Sequence, residues 1–496
     1  MAALAGLGSV AVMLLLRLLA PWPSYFDLAG ERLVGATPGA TFDIMLERLQ
    51  HWGKPALLLG IIVLSLIVLA GAGWAYRRLA ASLAGAGPRW LTALGLGLAL
   101  WAMTSWAVGA FAQPWPSNLQ SGGGALVSFL AFAVILAGLE SGPAPDVGRR
   151  RFMAGLGSLA LLLNGGLLWR LVSAMLEPRA SGTHVPTGAV TSSDVHRQLF
   201  ASVPGLMPQI TDNDTFYRIS KNFVDPTVPA DSWALEVFGL VEQPRRLSYA
   251  ELQALPAVDE MVTLECISNL VGGPLAGNAI WTGVPLSTIL QAAQLKPEAK
   301  FVAFTCSDNY TESYPVDKAL APSTILAYAM NGSPLPQRHG FPLRVLSTGR
   351  YGMKNPKWLR KIELTAEPRP GWWERQGYDD DAVVRTMSRI DVPPAGVPLP
   401  AGKVVLGGIA FAGERGISAV EVSIDGGASW RTAVLDRPPA PAAWARWLWP
   451  WPDAAPGRYQ ALVRATDGAG APQTADRQGS FPAGATGYDQ VEVVIQ

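Results

Sequence analysis

Two runs of sequence separated by a short glycine-rich loop decide the fold of the C-terminal part of the chain. They are VTLECISN at residues 262–269 and GNAIWTGVPL at residues 277–286. The first run has the composition of a β-strand that ends directly before Cys266. The glycine and asparagine residues that follow are typical of a loop that turns the chain sharply. The sequence therefore predicts a thiol that leaves the edge of a sheet and points into a cleft.

The cysteine content limits the chemistry open to Cys266. A thiolate binds soft metals and is a poor general base, whereas a lone cysteine is more often a small buried apolar residue. The chain has two cysteines, Cys266 and Cys306. A common iron–sulfur cluster needs four thiolates, and covalent haem needs a Cys-x-x-Cys-His motif that the sequence lacks. Any redox cofactor must therefore need at most two thiolates from this protein.

A second set of motifs gathers positive charge on loops rich in glycine and proline. They are GSPLPQRHGFPLR at residues 332–344 and YGMKNPKWL at residues 351–359. Arginine offers a bidentate fork to a phosphate, lysine a point charge and histidine a further donor. The alternative is a solvated basic surface, which is common for lysine in particular. In order of preference, the candidate phosphate-binding residues are Arg344, His339, Lys357 and Lys354.

The order of these motifs resembles the sulfite oxidase family of molybdenum enzymes across about residues 206–496. A strand followed by Cys-x-x-Asn and later by Gly-Asn-Ala-x-Trp-x-Gly-Val-x-Leu is similar to the family's molybdenum loop. The resemblance implies that the thiolate of Cys266 ligates molybdenum beside the dithiolene of molybdopterin. It also implies an α+β catalytic domain, in which the cofactor carries a two-electron oxygen-atom transfer and the protein supplies ligation, orientation and charge.

Two further stretches are similar to other cofactor loops of the family. NDTFYRISKN at 213–222 is similar to the first pterin-contacting strand, and its Arg218 falls where the family keeps an anion-binding arginine. FTCSDNYTESYP at 304–315 is similar to the loop of the active-site tyrosine, which implies that role for Tyr310 and makes Cys306 a wall of the pocket. The residues implied to contact the cofactor are Asn213, Tyr217, Arg218, Cys306, His339, Arg344, Asn355, Pro356 and Lys357. The residues implied to act in catalysis are Cys266, Tyr310 and Arg218.

One departure from the family's pattern bears on the substrate. Many sulfite oxidases place arginines directly after Cys-x-x-Asn, whereas Leu270 and Val271 stand there in this chain. A small dianion such as sulfite favours several cations in its pocket. The departure therefore weakens the case for sulfite without identifying another substrate.

Three functions stay open on the sequence. The first is a sulfite-type oxidase that passes electrons from a small-molecule substrate to an external cytochrome or quinone-linked carrier, because no haem or cluster motif is visible. The second is a reductase of sulfoxides or other oxygenated compounds that draws electrons from a membrane partner. The third is a membrane scaffold that has lost the cofactor, and this function predicts loss of the thiol and the basic residues, which are present.

The N-terminal part of the chain is apolar enough to predict a membrane anchor of five helices. A crossing takes roughly 20 apolar residues. The predicted crossings are about 3–20, 55–75, 90–112, 123–140 and 152–176. Arginine-rich loops at 76–89 and 141–151 indicate the cytoplasmic side, since positive loops stay inside. This predicts a multi-pass cell-membrane protein whose N-terminus is cytoplasmic and whose catalytic domain is periplasmic or extracellular.

A basic motif before the last apolar segment has two interpretations. GRRRFM at residues 148–153 resembles the twin-arginine signal that exports folded proteins. It can equally be a cytoplasmic cluster of positive charge. The net charge of +1 gives no electrostatic footprint for nucleic acid.

The predicted domains follow from these patterns. They are a transmembrane anchor at 1–178, a linker at 179–205, a catalytic domain at 206–390 and an immunoglobulin-like β-sandwich at 391–496. Within the catalytic domain we expect helices at 286–295 and 318–330. The sandwich resembles the family's dimerisation domain, which implies a homodimer.

Overall fold

The chain is described by a computed structural model that covers most of its length. The described residues are 2–19, 24–49, 52–82, 89–108, 117–140, 155, 158, 160, 162–170, 199–222 and 225–496. They form two compact units. The first unit contains the described residues of 1–37, 48–177 and 220–224, and the second contains those of 38–47, 178–219 and 225–496.

The first unit is helical. Its helices pack around an apolar core that includes Met13, Leu58 and Phe132. The helices up to residue 140 are α1 (Ala2–Leu19), α2 (Tyr25–Ala36), α3 (Gly39–Leu49), α4 (Gly53–Ser82), α5 (Arg89–Ala107) and α6 (Ser117–Glu140). Most of α3 belongs to the second unit.

Two of these helices are long and apolar enough to cross a membrane. They are the stretches Gly53–Ala81 of α4 and Trp90–Ala107 of α5, while Ala3–Leu19 and Gly122–Ala137 are shorter apolar helices. Four of the five predicted segments thus coincide with apolar helices. Of the fifth, residues 162–170 are described and helical. The twin-arginine motif and the predicted linker up to residue 198 lie outside the described residues.

Helices α2 and α3 lie between the first two predicted crossings, where no helix was predicted. Helix α2 begins with a capping box in which Ser24 and Asp27 bond each other's backbone groups. The Asp27 carboxylate also pairs with Arg17 at 2.7 Å, and both side chains are buried. A charged side chain near the end of a membrane crossing usually extends to the interface. The Arg17 side chain instead turns to the buried Asp27 carboxylate.

The part of the second unit up to residue 365 contains one mixed sheet and one antiparallel sheet. One has the strand order β2-β1-β10-β5-β6, in which β1 and β10 are parallel, and the other has the order β3-β4-β7-β8 with β9 beside β7. The strands are β1 (Ala234–Gly239), β2 (Arg245–Ser248), β3 (Val258–Glu265), β4 (Ala276–Pro285), β5 (Phe301–Cys306), β6 (Thr311–Pro315), β7 (Thr324–Met330), β8 (Ser333–Pro334), β9 (Arg344–Ser347) and β10 (Leu359–Thr365). The short helices are α7 (Tyr249–Gln253), α8 (Leu286–Ala293) and α9 (Val316–Leu320).

The two predicted helices of this part had opposite outcomes. Helix α8 is present and buries Leu286, Ile289 and Leu290 at helical spacing. The helix expected at 318–330 is wrong, because α9 ends at Leu320 and the chain continues as β7. Pro322 cannot continue a helix, and the β-branched residues after it suit the buried position of β7 between β4 and β9.

The C-terminal part is all β, as the sequence predicts. Its sheets have the orders β11-β13-β17-β16 and β12-β19-β18-β14-β15. Alternate residues from both sheets, among them Leu406, Trp447, Val422 and Val463, form one buried core. The strands are β11 (Met387–Val392), β12 (Pro398–Leu399), β13 (Gly402–Phe411), β14 (Ile417–Ser423), β15 (Arg431–Thr432), β16 (Val434–Asp436), β17 (Ala445–Ala454), β18 (Gly457–Asp467) and β19 (Asp489–Ile495).

Candidate active site

Cys266 stands on the turn that joins β3 to β4. Its backbone N–H donates to the carbonyl oxygen of Leu275 at 2.9 Å. The side chain of Asn269 closes the turn, since it donates to the Glu265 carboxylate at 2.9 Å and accepts from the Leu275 N–H at 2.9 Å. The Cys-x-x-Asn spacing therefore has a local cause, because the asparagine holds the loop that presents the thiol.

The surroundings of Cys266 suit a metal ligand better than a nucleophile. The thiol is buried and forms no disulfide in the described chain. Burial raises the pKa of Cys266 to about 12, although hydrogen bonds from Ser268 act to lower it. Such a thiol stays protonated at neutral pH unless a metal cation displaces the proton. Within the residues that the structure describes, no group of three or more His, Cys, Asp or Glu could hold a metal ion.

Tyr378, which the sequence interpretation missed, contacts the turn that carries the thiol. Its hydroxyl is 3.5 Å from the hydroxyl of Ser268. Burial raises the pKa of Tyr378, and the nearby charges of Asp43 and Cys266 raise it further, against a lowering hydrogen bond with Ser268. The available signal was the position of Tyr378 directly after Gly377, whose φ of 92° ends a 3-10 turn and turns the chain.

Tyr310, which the resemblance put forward as the active-site tyrosine, has other neighbours. Its hydroxyl donates to the carbonyl oxygen of Met353 at 2.7 Å. Burial raises the pKa of Tyr310, and the charges of Glu312 and Glu374 follow as the next causes. Tyr310 is thus a buried residue of the turn between β5 and β6, with its hydroxyl bonded to the backbone.

Arg344 is a buried cation whose hydrogen bonds go to carbonyl groups. Its two Nη atoms donate to the carbonyls of His339 and Asn355 at 3.0 and 3.1 Å. The guanidinium carbon lies 5.0 Å from the ring centre of Trp281, and its buried Nε has no hydrogen-bond partner among the described residues. Burial lowers the pKa of Arg344 to about 10. A positive charge in this position, with an unused donor, fits an anionic group of a ligand.

Lys357 is a second cation at the same site. Its ammonium donates to the carbonyls of Ile219 and Arg338 at 3.4 and 3.2 Å and lies 4.3 Å from the Trp358 ring centre. Burial lowers the pKa of Lys357 to about 8, and the charge of Arg218 is among the smaller causes that lower it. The Arg218 side chain itself is exposed. The structure therefore brings Arg218 to the Lys357 end of the site, whereas the resemblance placed it at the metal.

His339 contributes a hydrogen bond but no positive charge. Its Nε2 lies 2.8 Å from the carbonyl oxygen of Asn213, to which it donates in the tautomer that this contact requires. Burial lowers the pKa of His339 to about 3, so the ring is neutral at physiological pH. The side chain of Asn213 bonds Asn331 and the Met330 carbonyl, so both residues fix the loop that leads to Tyr217.

Tyr217 lies near both the thiol of Cys266 and the guanidinium of Arg344. Its ring stacks on Phe216 at a centroid distance of 5.5 Å. Burial raises its pKa well above the ordinary value, the charge of Cys266 raises it further and that of Arg344 lowers it. A Cβ added at Gly352 would lie 2.6 Å from the Tyr217 hydroxyl, so glycine leaves room for it there.

The remaining predicted residues build the walls of the site. Asn355 accepts from the Ser347 N–H at 2.6 Å and donates to the Tyr351 carbonyl at 2.9 Å. The Pro356 carbonyl accepts from Val345 at 3.0 Å. Cys306 is buried at the end of β5, where its N–H donates to the carbonyl of Tyr310 at 3.0 Å. These contacts show how the loops are held, and the backbone around 355–356 is tied to β9.

Lys354 does not belong to this basic site. It is buried between two carboxylates, with its ammonium 2.5 Å from Glu312 and 2.6 Å from Glu374. Burial lowers the pKa of Lys354, but the two carboxylates outweigh this and raise it above its ordinary value. The rank given to Lys354, last among the phosphate-binding candidates, agrees with this position.

The low pKa of Lys357 predicts a pH dependence of stability for the cofactor-free protein. The pKa is about 8 in the folded chain and 10.5 in the unfolded chain. Between these values the unfolded chain binds one more proton, so stability rises with pH by about 1–3 kcal/mol in total. Lys357→Met is expected to remove this rise, and the exposed Lys403→Met is the control. The stability of each protein is measured by thermal unfolding at pH 7.5 and at about pH 10. An equal change in stability between these pH values for wild type and both variants would contradict the burial of the Lys357 charge.

Comparisons with known families and proteins agree with this geometry. The family described as "Oxidoreductase molybdopterin binding domain" matches residues 222–373, and "Mo-co oxidoreductase dimerisation domain" matches residues 383–472. "Uncharacterized oxidoreductase YuiH" of Bacillus subtilis is 40% identical over 146 residues, which are 29% of this chain and 72% of that protein.

A sulfite oxidase and a solved structure show how far the similarity extends along the chain. Sulfite oxidase of Gallus gallus is 30% identical over 287 residues, which are 48% of this chain but only 62% of that protein. The structure of sulfane dehydrogenase SoxCD from Paracoccus pantotrophus aligns with a TM-score of 0.53 at 22% identity, over 65% of this chain and 99% of that chain. The fold is thus shared from the molybdopterin domain through the β-rich domain, and the chain belongs to the sulfite oxidase family of molybdopterin-dependent oxidoreductases.

Proposed function

We propose that this chain transfers an oxygen atom between water and a small sulfur compound at a molybdenum ligated by Cys266. The observation that carries the proposal is a buried thiol on the β3–β4 turn, with Tyr217 near both Cys266 and the buried Arg344, and with the partly buried Lys357 beside Arg344 across Gly340. This donor set fits molybdopterin, which has a metal at one end and a phosphate at the other.

Different residues of the chain are proposed to serve the phosphate end and the metal end of the cofactor. Arg344 and Lys357 would bind the phosphate, with Arg218 at the same end, and neutral His339 would keep the 213–217 loop in place. When bound, the cofactor supplies the two-electron redox chemistry. Tyr378 is proposed in place of Tyr310 as the hydroxyl that bonds the substrate oxygen, because Ser268 and Cys266 are its neighbours.

The reaction balances in either direction. In an oxidation, a water oxygen bonds to the substrate sulfur while two protons and two electrons leave, as when sulfite becomes sulfate. In a reduction, a sulfoxide takes up two electrons and two protons and releases water, leaving the thioether. The electrons pass to or from an external carrier, a cytochrome or a quinone-linked protein. Leu270 and Val271, which stand where many sulfite oxidases keep arginines, weaken the case for sulfite as the substrate.

The proposed setting is the cell membrane. The apolar helices, with residues 152–176 as a fifth crossing, would form an anchor at 1–178, apart from residues 38–47 of the catalytic unit. The N-terminus of this anchor would be cytoplasmic, and a linker at 179–205 would join it to a catalytic domain outside. The β-rich part at 391–496 is proposed to be immunoglobulin-like and to form a homodimer, which the match to a dimerisation family supports.

Metal content and turnover test the function together. Full-length protein purified in detergent from a molybdopterin-producing host is expected to carry about one molybdenum per chain, since the protein ligates the metal through one cofactor. It should reduce cytochrome c with sulfite, or oxidise reduced viologen with a sulfoxide. Absence of molybdenum from the purified protein would contradict both enzyme functions. The function that remains would be that of a membrane scaffold without a cofactor.

A further inference from the structure

Helix α3 packs on the catalytic part of the chain. In the sequence it lies between the apolar helices α1 and α4, yet residues 38–47 belong to the compact unit of the molybdopterin domain. The Phe42 ring lies 5.0 Å from the ring of Trp373. At Gly39 the approach is so close that an added Cβ would lie 2.5 Å from the Gln376 carbonyl oxygen and 2.7 Å from the Phe481 ring. The helix is thus seated by an aromatic contact and by a glycine that no larger residue can replace without a shift.

The helix brings a carboxylate to the thiol side of the site. Asp43 accepts hydrogen bonds from the Tyr378 hydroxyl at 3.4 Å and from the Ser480 hydroxyl. The Tyr378 hydroxyl also lies 3.5 Å from that of Ser268, two positions after Cys266. A chain of side chains therefore runs from helix α3 to the metal-ligating loop.

We propose that Asp43 is a specificity-determining residue of this active site, which holds the Tyr378 hydroxyl and makes the substrate pocket unfavourable for dianions. The proposal rests on the proposed function and narrows its substrate class to uncharged or cationic sulfur compounds, such as sulfoxides or thioethers. A carboxylate repels a dianion in a partly buried site much more than in water. Leu270 and Val271 offer no compensating charge in the segment after Asn269.

A purely structural role makes a different prediction from a charge-selecting role. If Asp43 only fastened α3 to Tyr378 and Ser480, any substitution at this position would loosen the helix. Binding and turnover would then fall equally for substrates of every charge. If the charge of Asp43 excludes dianions, the conservative Asp43→Glu should keep this selectivity. Asp43→Asn, which keeps the shape and a hydrogen-bonding oxygen, should lose it. Asp380, an exposed carboxylate two positions after Tyr378, provides a matched control as Asp380→Asn.

The first measurement needs no turnover. Sulfate, an unreactive dianion shaped like the product of sulfite oxidation, is titrated calorimetrically into the full-length, cofactor-loaded protein in detergent at low salt. Asp43→Asn is expected to bind sulfate about tenfold more tightly than wild type, with the difference shrinking as salt screens the charge. Asp43→Glu and Asp380→Asn should bind it as wild type does.

The second measurement compares substrates on the same proteins. The ratio of kcat/KM for sulfite to that for dimethyl sulfoxide, each assayed in its own direction, should rise about tenfold in Asp43→Asn and stay unchanged in the other two variants. Equal sulfate affinity in Asp43→Asn and wild type would overturn the proposal. So would an equal loss of binding and thermal stability in Asp43→Asn and Asp43→Glu, which would show that the residue only fastens α3. Failure of the proposed function is distinguishable, because molybdenum would then be missing from all four proteins.

Discussion

Replacing Cys266 with alanine is expected to abolish turnover while leaving a folded protein. Cys266 is the proposed metal ligand, and the loss should exceed the roughly 100-fold that removal of an outer-shell partner costs. Stability should change by only about 1 kcal/mol, because a single buried sulfur atom is removed. Turnover, molybdenum content by mass spectrometry and the molybdenum–sulfur signal in X-ray absorption measure the effect.

The control for this variant is the other buried cysteine. Cys306→Ala removes a thiol of the same size from the end of β5, next to the turn of Tyr310. It should keep the molybdenum–thiolate contribution that Cys266→Ala lacks. If both variants kept the same X-ray absorption signal, Cys266 would not be the ligand and the site would have to be assigned elsewhere.

Replacing Lys354 with methionine is expected to give the largest loss of stability among these variants. Its ammonium lies between Glu312 and Glu374, and all three side chains are 6% exposed or less. Removing one partner of a buried ion pair typically costs about 3–5 kcal/mol, because the remaining charge stays buried without compensation. Here two carboxylates would be left, and the Oε2 atoms of both already have no hydrogen-bond partner within the described structure.

A surface ion pair on the same domain provides the comparison. Lys361 pairs with Glu236 at 3.6 Å, and their side chains are 47% and 40% exposed. Lys361→Met should therefore cost no more than about 1 kcal/mol. The midpoint of thermal unfolding, followed by near-ultraviolet circular dichroism, separates the two. Equal midpoints for both variants would mean that the carboxylates around Lys354 lose their charge at little cost.

The thiol loop and the buried cations could be predicted because their signals are local. Cys266 and Asn269 belong to one turn, and Arg344 and Lys357 flank adjacent loops, so short motifs contain most of the geometry. The helix expected at 318–330 failed because the pattern of apolar residues there is shared by a buried strand, and only the pairing of β7 with β4 and β9 decides between them.

The missed residues depend on contacts between distant parts of the sequence. Tyr378 meets Ser268 across 110 positions, and Asp43 meets Tyr378 across 335. No spacing rule relates such pairs, because the fold alone brings them together. Lys354 illustrates the same limit, since its partner Glu312 is 42 positions away and the local sequence looks like an ordinary basic loop.

The position of helix α3 means that the catalytic unit is discontinuous in the sequence. The ribosome synthesises Gly39–Leu49 long before the strands on which this helix packs. Helix α3 therefore cannot dock until the rest of the unit has been synthesised. A soluble enzyme made by starting the chain at Leu199 would retain Cys266, Arg344 and Lys357 but would have an opening where α3 belongs. If Asp43 selects substrates by charge as proposed, measurements on such a fragment would describe a catalyst whose selectivity differs from that of the whole chain.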